Sequence, residues 1–386
     1  MSVRDHDLGE IRDAVAKLCA TFPMEYWREL DRERRYPTDF VSALTRAGWL
    51  SCLIPEEYGG AGLGLSAAAA VLEEIHKSGA NGAACHAQMY IMGTLLRHGS
   101  AAQKKKYLPG IAKGELRLQA FGVTEPSAGT DTSSIRTAAV RKSDRYVVNG
   151  QKVWTSRAEH SDLMLLLART APREAGAKKT DGLSVFIVDM KAALGAGLTI
   201  RPIRTMINHA TTEVFFDNLE VPAENLVGEE GKGFRYVLDG MNAERILIGA
   251  ECVGDARWFI GRATAYANER KVFGRPIGQN QGVQFPIARA YMASEAAALM
   301  VERATVLYEK NEPCGKEANM AKQLGSEASW QAADMCLQTH GGFGFAEEYD
   351  IERKFRETRL YQIAPISTNL VLSYLGEHVL GLPRSY

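Results

Sequence analysis

Apolar residues recur at spacings of three and four through the first third of the chain. Leu8, Ile11, Val15 and Leu18 make one such series, and Phe40, Leu44 and Ala47 another. This is the period of an amphipathic helix, so residues 7 to about 118 are expected to be all-helical. Pro37 is placed to open one helix and Ser66 to cap the run Ala67 to Glu74. The segment Ile54-Pro55-Glu56-Glu57-Tyr58-Gly59-Gly60 breaks the pattern.

From Gln119 to about Gly228 the pattern shortens to apolar runs rich in β-branched and aromatic residues. They are Tyr146-Val147-Val148, Leu163 to Ala168, Leu183 to Val188 and Val214-Phe215-Phe216. Asn149-Gly150, between Tyr146-Val147-Val148 and Lys152-Val153-Trp154, predicts a hairpin turn. Helical periodicity returns after Gly231, over residues 234–267, 281–310, 318–339 and about 368–380. The expected class is α+β, with an N-terminal α-helical domain (1–118), a middle antiparallel β domain (119–228) and a C-terminal four-helix bundle (229–386). That order lacks the βαβ alternation of nucleotide-binding sheets, so a dinucleotide would be held without a Rossmann crevice.

Composition narrows the function classes. With 386 residues, 46% of them hydrophobic, the chain can bury a large core. Its 46 Lys and Arg balance 46 Asp and Glu, so no net field favours nucleic acid or an anionic membrane. The six cysteines, Cys19, Cys52, Cys85, Cys252, Cys314 and Cys336, lie far apart with no CxxC or Cys/His cluster, which predicts reduced core thiols and no metal site. No apolar run approaches the roughly 20 residues that cross a bilayer. The first ten residues read as neither secretory signal nor transit peptide, so a cytoplasmic protein is expected.

Two segments carry candidate chemistry. Gly122 to Ser134 (GVTEPSAGTDTSS) combines glycines with short hydroxyl residues, which let a backbone pass close to a planar ring while N–H and O–H groups face its acceptors. Composition alone favours a plain Ser/Thr-rich turn. Gln338 to Glu348 (QTHGGFGFAEE), with Arg353 and Glu357 beyond, puts three glycines directly after a long helix, which suits close approach to a diphosphate or a plain helix C-cap.

Both segments, in this order, resemble the two signatures of the acyl-CoA dehydrogenases, and the resemblance runs from about Asp7 to Leu382. It implies a non-covalently bound FAD, with Phe121, Val123, Thr124, Gly129 and Thr130 around the flavin and Gln338, Gly341 and Gly342 near the diphosphate. Trp154-Thr155-Ser156 is similar to the family segment whose Trp packs on the ring and whose hydroxyl reaches flavin N5. Arg270, Phe273 and Gln281 match a segment that crosses to a neighbouring subunit's FAD, and Thr368 and Asn369 a run that touches the flavin. The implied reaction is α,β-desaturation of an acyl-CoA. A carboxylate takes the α proton, hydride passes from the β carbon to N5, and a separate electron-transfer flavoprotein then takes the electrons. A homotetramer built as a dimer of dimers is also implied.

Most members place the base in a Tyr-Glu-Gly-Thr type loop. Here the corresponding stretch is Leu360-Tyr361-Gln362-Ile363-Ala364-Pro365-Ile366, where Ala364, Pro365 and Ile366 cannot take a proton. Isovaleryl- and long-chain-type members carry the base on a C-terminal helix just before an Arg, and Glu244-Arg245 fits that position. Thr130 and Arg245 are then candidates for the CoA portion, and Met241 and Asn242 for the adjoining pocket. Met89 and Tyr90 are placed to shorten the acyl cavity, whereas the Glu244 placement resembles enzymes for branched or long chains, so acyl length and branching stay open. His209 and His340 show no partner in the sequence and are expected to be structural, and Glu125 is expected to order its loop. The same site run as an enoyl-CoA reductase, or discharged to oxygen as an oxidase, and a non-catalytic flavin- or acyl-binding protein are the alternative readings.

Overall fold

The 3–4 spacing that starts at Leu8 belongs to α1 (Val3–Cys19), the first of six helices that precede any strand. In the computed structural model the described residues are 3–172 and 178–384. The other five are α2 (Met24–Glu33), α3 (Thr38–Arg46), α4 (Leu65–Lys77), α5 (Ala83–His98) and α6 (Ala101–Lys113). Next come β1 (Leu118–Gly122), β2 (Ala138–Lys142), β3 (Arg145–Ser156), β4 (Leu163–Arg169), β5 (Leu183–Asp189), a short α7 (Met190–Ala193), β6 (Leu198–Pro202), β7 (Thr211–Pro222) and β8 (Leu226–Val227). Helices α8 (Gly233–Glu269), α9 (Gln281–Glu309), α10 (Gly315–His340), α11 (Ile351–Arg359) and α12 (Thr368–Tyr374) follow, with the two-residue strands β9 (Lys271–Val272) and β10 (Arg275–Pro276) between α8 and α9. The expected order of helices, sheet and long helices is therefore observed.

By packing, the chain forms two compact units that alternate along the sequence. A helical unit comprises Met1–Glu33, Gly64–Gly82 and Asn242–Tyr386, and a sheet unit comprises Arg34–Leu63 and Ala83–Met241.

In the sheet unit the strand order is β6-β7-β3-β2-β4-β5-β8, with β1 also paired to β4. The antiparallel expectation holds for most pairs. It fails at β1, which runs parallel to β4 with Gly122 opposite Leu166, and at the single parallel pair Ala138–Arg169. β4 and β5 are apolar on both faces because both faces are covered. Leu163, Leu165, Leu167, Val185 and Ile187 meet Ile91, Met92, Leu95, Leu108 and Ile111 of α5 and α6, while Met164, Leu166, Phe186 and Val188 pack with Tyr146, Val148 and Phe216.

The predicted hairpin at Asn149-Gly150 is not there. β3 runs straight through both residues, and the turn lies at Ser143-Asp144, where Lys142 pairs with Arg145 and Ser143 takes φ +56°. Asn149-Gly150 instead forms an irregularity against β7, with register shifting between Val148 and Gly150. Gly150 has φ +150°, and a Cβ there would stand 2.5 Å from Thr137 Oγ1, so glycine is required by close approach rather than by reversal.

In the helical unit α4 begins at Leu65 behind Gly64, one position before the predicted cap. Ser66 does not cap. Its N–H and hydroxyl both donate to Glu309 Oε1 of α9, at 2.8 and 2.6 Å. Ala256, Phe259 and Ala263 of α8 pack with Ala290 of α9, Ala332, Ala333 and Cys336 of α10 and Ile351 of α11. Helix α11 has no readable apolar stripe because its buried face carries charge. Asp255 lies 2.9 Å from His76 and 2.5 Å from Lys354, and Arg353 lies 2.9 Å from Glu357. Burial pushes the Asp255 carboxyl up, but Lys354 and His76 outweigh it and hold the group at about 2. All six cysteines are buried and free. Among the described residues no helix is long and apolar enough to cross a membrane.

Candidate active site

Within the sheet unit, β1 ends at Phe121-Gly122 and delivers the chain into the first signature. The loop is held from beneath. The buried Glu125 carboxylate accepts hydrogen bonds from Arg136 N (2.6 Å), Thr137 N (2.9 Å) and Lys152 Nζ (2.8 Å), and Lys152 Nζ also donates to Val123 O at 2.9 Å. Val153 N donates to Thr124 O at 2.9 Å, and Glu125 and Ala128 bridge each other. Burial pushes the Glu125 carboxyl up, yet Lys152 and the Thr137 and Arg136 hydrogen bonds hold it below the usual carboxylate range. Burial brings the Lys152 ammonium down to about 8 against the pull of Glu125. Glu125 is thus an ionised brace whose oxygens are already engaged, as expected of a loop-ordering residue.

Above that brace the loop is open. Val123 and Thr124 are half-buried, and Gly129 and Thr130 are exposed, with nothing within 4 Å of a Cβ placed on Gly129. The partly buried Phe121 ring lies 5.9 Å from Tyr90, the neighbour of buried Met89 on α5.

At the end of β3 the pairing with β7 skips between Lys152 and Thr155. The skip turns Trp154 outward: its backbone takes φ +60° and 59% of its surface stays exposed. A large aromatic in a left-handed conformation, facing solvent, is costly unless something covers it. The buried Thr155 hydroxyl has no hydrogen-bond partner among the described residues. Ser156, half-buried, pairs with Thr211, and buried Arg157 follows at φ +59°.

His209 has a partner that the sequence did not show. Its Nε2 lies 3.4 Å from Arg157 Nη1, and burial, then the nearby Arg157 and His86, push its pKa well below the ordinary value, so the ring is neutral.

Met241 is the last residue of the sheet unit and Asn242 opens the final stretch of the helical one; both are half-buried on α8. Two residues further on, Glu244 is buried, with Ala243, Ile246 and Leu247 buried around it. Arg245 Nη1 donates to Asn242 Oδ1 at 3.0 Å, and burial lowers the Arg245 pKa against the pull of Glu244. Positions 364–366 bring no carboxylate, and Ile366 is buried.

In the same unit α10 ends at His340, whose Nδ1 lies 2.8 Å from Cys336 O and whose ring stacks on Tyr266 at 4.2 Å; this histidine too has partners. Gly341 then takes φ +59° and ψ −134°, and neither Gly341 nor Gly342 has an atom within 4 Å of a Cβ. The Arg270 guanidinium sits 5.7 Å over the Phe343 ring, so the structure brings Arg270 to the glycine segment. Phe273 and Gly274, at φ +51° and +79°, make the two-residue tip of the β9–β10 hairpin, and Phe273 is wholly exposed. Gln281 begins α9, and Gln338 and Asn369 are exposed. Thr368 begins α12 and donates to Gln362 O at 3.3 Å.

In the sheet unit, the open backbone at Gly129, the exposed Trp154 indole and the unpartnered Thr155 hydroxyl fit a planar ring such as the flavin of FAD; in the helical unit, the open backbone at Gly341 and Gly342 fits a diphosphate. The sequence reading missed Lys152 and Arg157. The one available signal for Lys152 was a cation sharing the inward phase of Tyr146 and Val148 on a strand.

Three family models match the chain: the acyl-CoA dehydrogenase N-terminal domain over residues 5–115, the middle domain over 120–219 and the C-terminal domain over 231–379. The acyl-CoA dehydrogenase FadE12 of Mycobacterium tuberculosis is 35% identical, over 100% of this chain and 98% of its own. The cyclohex-1-ene-1-carbonyl-CoA dehydrogenase of Syntrophus aciditrophicus is 37% identical over 91% of this chain and 84% of its own. Among solved structures, glutaryl-coenzyme A dehydrogenase in complex with glutaryl-CoA superposes with a TM-score of 0.90 at 31% identity, covering 100% of this chain and 97% of that one.

Proposed function

The chain belongs to the acyl-CoA dehydrogenase family of FAD-dependent oxidoreductases, and from that premise we propose that Glu244 is the base that takes the α proton of its acyl-CoA thioester. The observation that carries this reading is a buried glutamate on α8, in a stretch where Ala243, Ile246 and Leu247 are buried as well, together with a loop at 364–366 that offers no carboxylate. Burial at this position keeps the carboxyl away from bulk water. FAD, when bound, accepts the hydride released from the β carbon.

The remaining residues bind and orient. In this reading the Val123–Thr130 loop and Ser156 meet the flavin ring, Trp154 covers it, and Thr368 and Asn369 add contacts. Gln338, Gly341 and Gly342 receive the diphosphate, and Arg270, Phe273 and Gln281 serve an FAD shared with a second subunit. An Arg is suited to that task because its fork donates two parallel hydrogen bonds. Thr130 and Arg245 take the CoA portion, and Met241 and Asn242 line the adjoining pocket. Met89 and Tyr90, the latter against Phe121, favour a short or compact acyl group.

The assembly in this reading is a homotetramer, and the electrons leave to an electron-transfer flavoprotein. Phe285, Met292, Leu299 and Val306 recur every seven residues on the exposed face of α9, a stripe that suits another copy of the chain.

Anaerobic titration with a panel of acyl-CoAs tests the activity and the acyl preference together, because productive thioesters bleach the flavin. Glu244→Gln is expected to slow bleaching by about 10²–10⁴-fold while leaving thioester binding in place. An unchanged rate would show that the base is elsewhere.

A further inference from the structure

We infer that Arg157 sets the reduction potential of the bound flavin. The inference rests on the reading that Ser156 faces the flavin edge, and it concerns a residue that neither binds substrate nor moves the proton.

Arg157 directly follows Ser156, and its backbone is pinned. Its N–H donates to Ala210 O at 2.7 Å, and its carbonyl accepts from His160 N at 3.1 Å and from Ser161 Oγ at 2.9 Å. The residue sits at φ +59°, a conformation that persists only where surrounding contacts impose it. The residue is 7% exposed, so the guanidinium is held away from bulk water. Two groups near it are neutral: the His209 imidazole at 3.4 Å and the phenol of Tyr36, which donates to Gln119 Oε1 at 2.8 Å and stacks on His160 at 4.3 Å. Burial raises the Tyr36 pKa and lowers that of His209, so both groups are neutral beside the arginine.

A flavin ring gains negative charge when two electrons and a proton enter it. A buried guanidinium on the residue that follows Ser156, in an environment less polar than water, stabilises the reduced form more than the oxidised one. Acyl-CoA thioesters are weak reductants, so this fixed charge favours electron entry into the ring.

The test is a dye-equilibrated potential titration of purified holoenzyme, with FAD affinity and thermal midpoint measured alongside. Arg157→Met is expected to retain FAD but to lower the reduced-to-oxidised flavin ratio at a given dye potential at least tenfold, which for two electrons is about 30 mV. Arg157→Lys, which keeps the charge, is expected to restore most of the loss. A merely structural role would move the midpoint and leave the potential alone, and an unchanged potential in Arg157→Met overturns the inference. Arg157→Gln, which keeps a donor toward His209, takes its place with the same two outcomes if Arg157→Met does not fold. Ser156→Ala separates this from the site reading: if it changes neither flavin spectrum nor FAD affinity, the flavin is not at Ser156 and both ideas fall. If it changes them while Arg157→Met leaves the potential alone, only the role of Arg157 fails.

Discussion

The Lys152 ammonium lies 2.8 Å from the Glu125 carboxylate, and both side chains are shut away from solvent beneath the first signature loop. The pair joins the middle of β3 to the loop ahead of β2. Together with Lys152 to Val123 O, it fixes where the Val123-Thr124 backbone stands. Removing one partner strands a buried charge, whereas a surface pair can be lost almost without cost.

Lys152→Met is therefore expected to destabilise the protein by about 3–5 kcal/mol and to weaken FAD retention, read by urea unfolding and by flavin content after gel filtration. In the double variant Lys152→Met/Glu125→Gln the losses should fall short of additive, since the second change removes the stranded charge. Additive losses would show that the pair does not act as a unit.

Asp255 gives the acid limb of stability. Its folded pKa, about 2, lies below the roughly 3.9 of an unfolded Asp, so the unfolded chain binds the proton more readily. Its contribution is present above about pH 4 and is lost as pH falls toward 2. Relative to Asp255→Asn, the wild type should lose its advantage over that window in pH-resolved chemical denaturation; a constant difference would remove Asp255 from the account.

Gly341 and Gly342 separate backbone strain from cofactor space. Both have open space where a Cβ would go, but only Gly341 has a positive φ. Gly341→Ala is expected to cost about 1–3 kcal/mol of stability even without FAD. Gly342→Ala should stay within about 0.5 kcal/mol in the apoprotein and show its effect as weaker FAD binding. Calorimetry with and without FAD reads both. Equal apoprotein losses would remove the distinction.

The heptad stripe on α9 predicts an assembly defect without a folding defect. Met292→Asp combined with Leu299→Asp changes only exposed positions, at 70% and 68% exposure, so secondary structure should be retained while sedimentation shifts to a smaller species. An unchanged sedimentation coefficient would leave the stripe without a role in assembly.

Much of the fold was legible because period alone carries it. The long helices after Gly231 begin and end close to where the apolar spacing predicts, and β4 and β5 read as buried strands from unbroken apolar runs. The misreadings share a cause. Asn149-Gly150 has a hairpin's local chemistry, but the close approach of Thr137 turns it into a strand irregularity. Ser66 has a cap's local chemistry, but Glu309, 243 positions away, claims its hydroxyl. Helix α11 hides because Arg353 and Lys354 are buried in ion pairs that no apolar pattern reveals.

Order of elements, the two glycine-bearing signatures, the family and hence the cofactor were all written in the residues, since each depends on local spacing or on a motif read in one stretch. Burial decided the rest. Glu125 and Glu244 are both acids beside candidate site segments, and nothing local shows how deeply either is buried or what holds it. The tertiary structure ties the Glu125 oxygens to Lys152, 27 positions on, and to two backbone amides, and it buries Glu244 on α8. A carboxylate's role follows from its solvation and its partners, and both come from parts of the chain that only folding brings together.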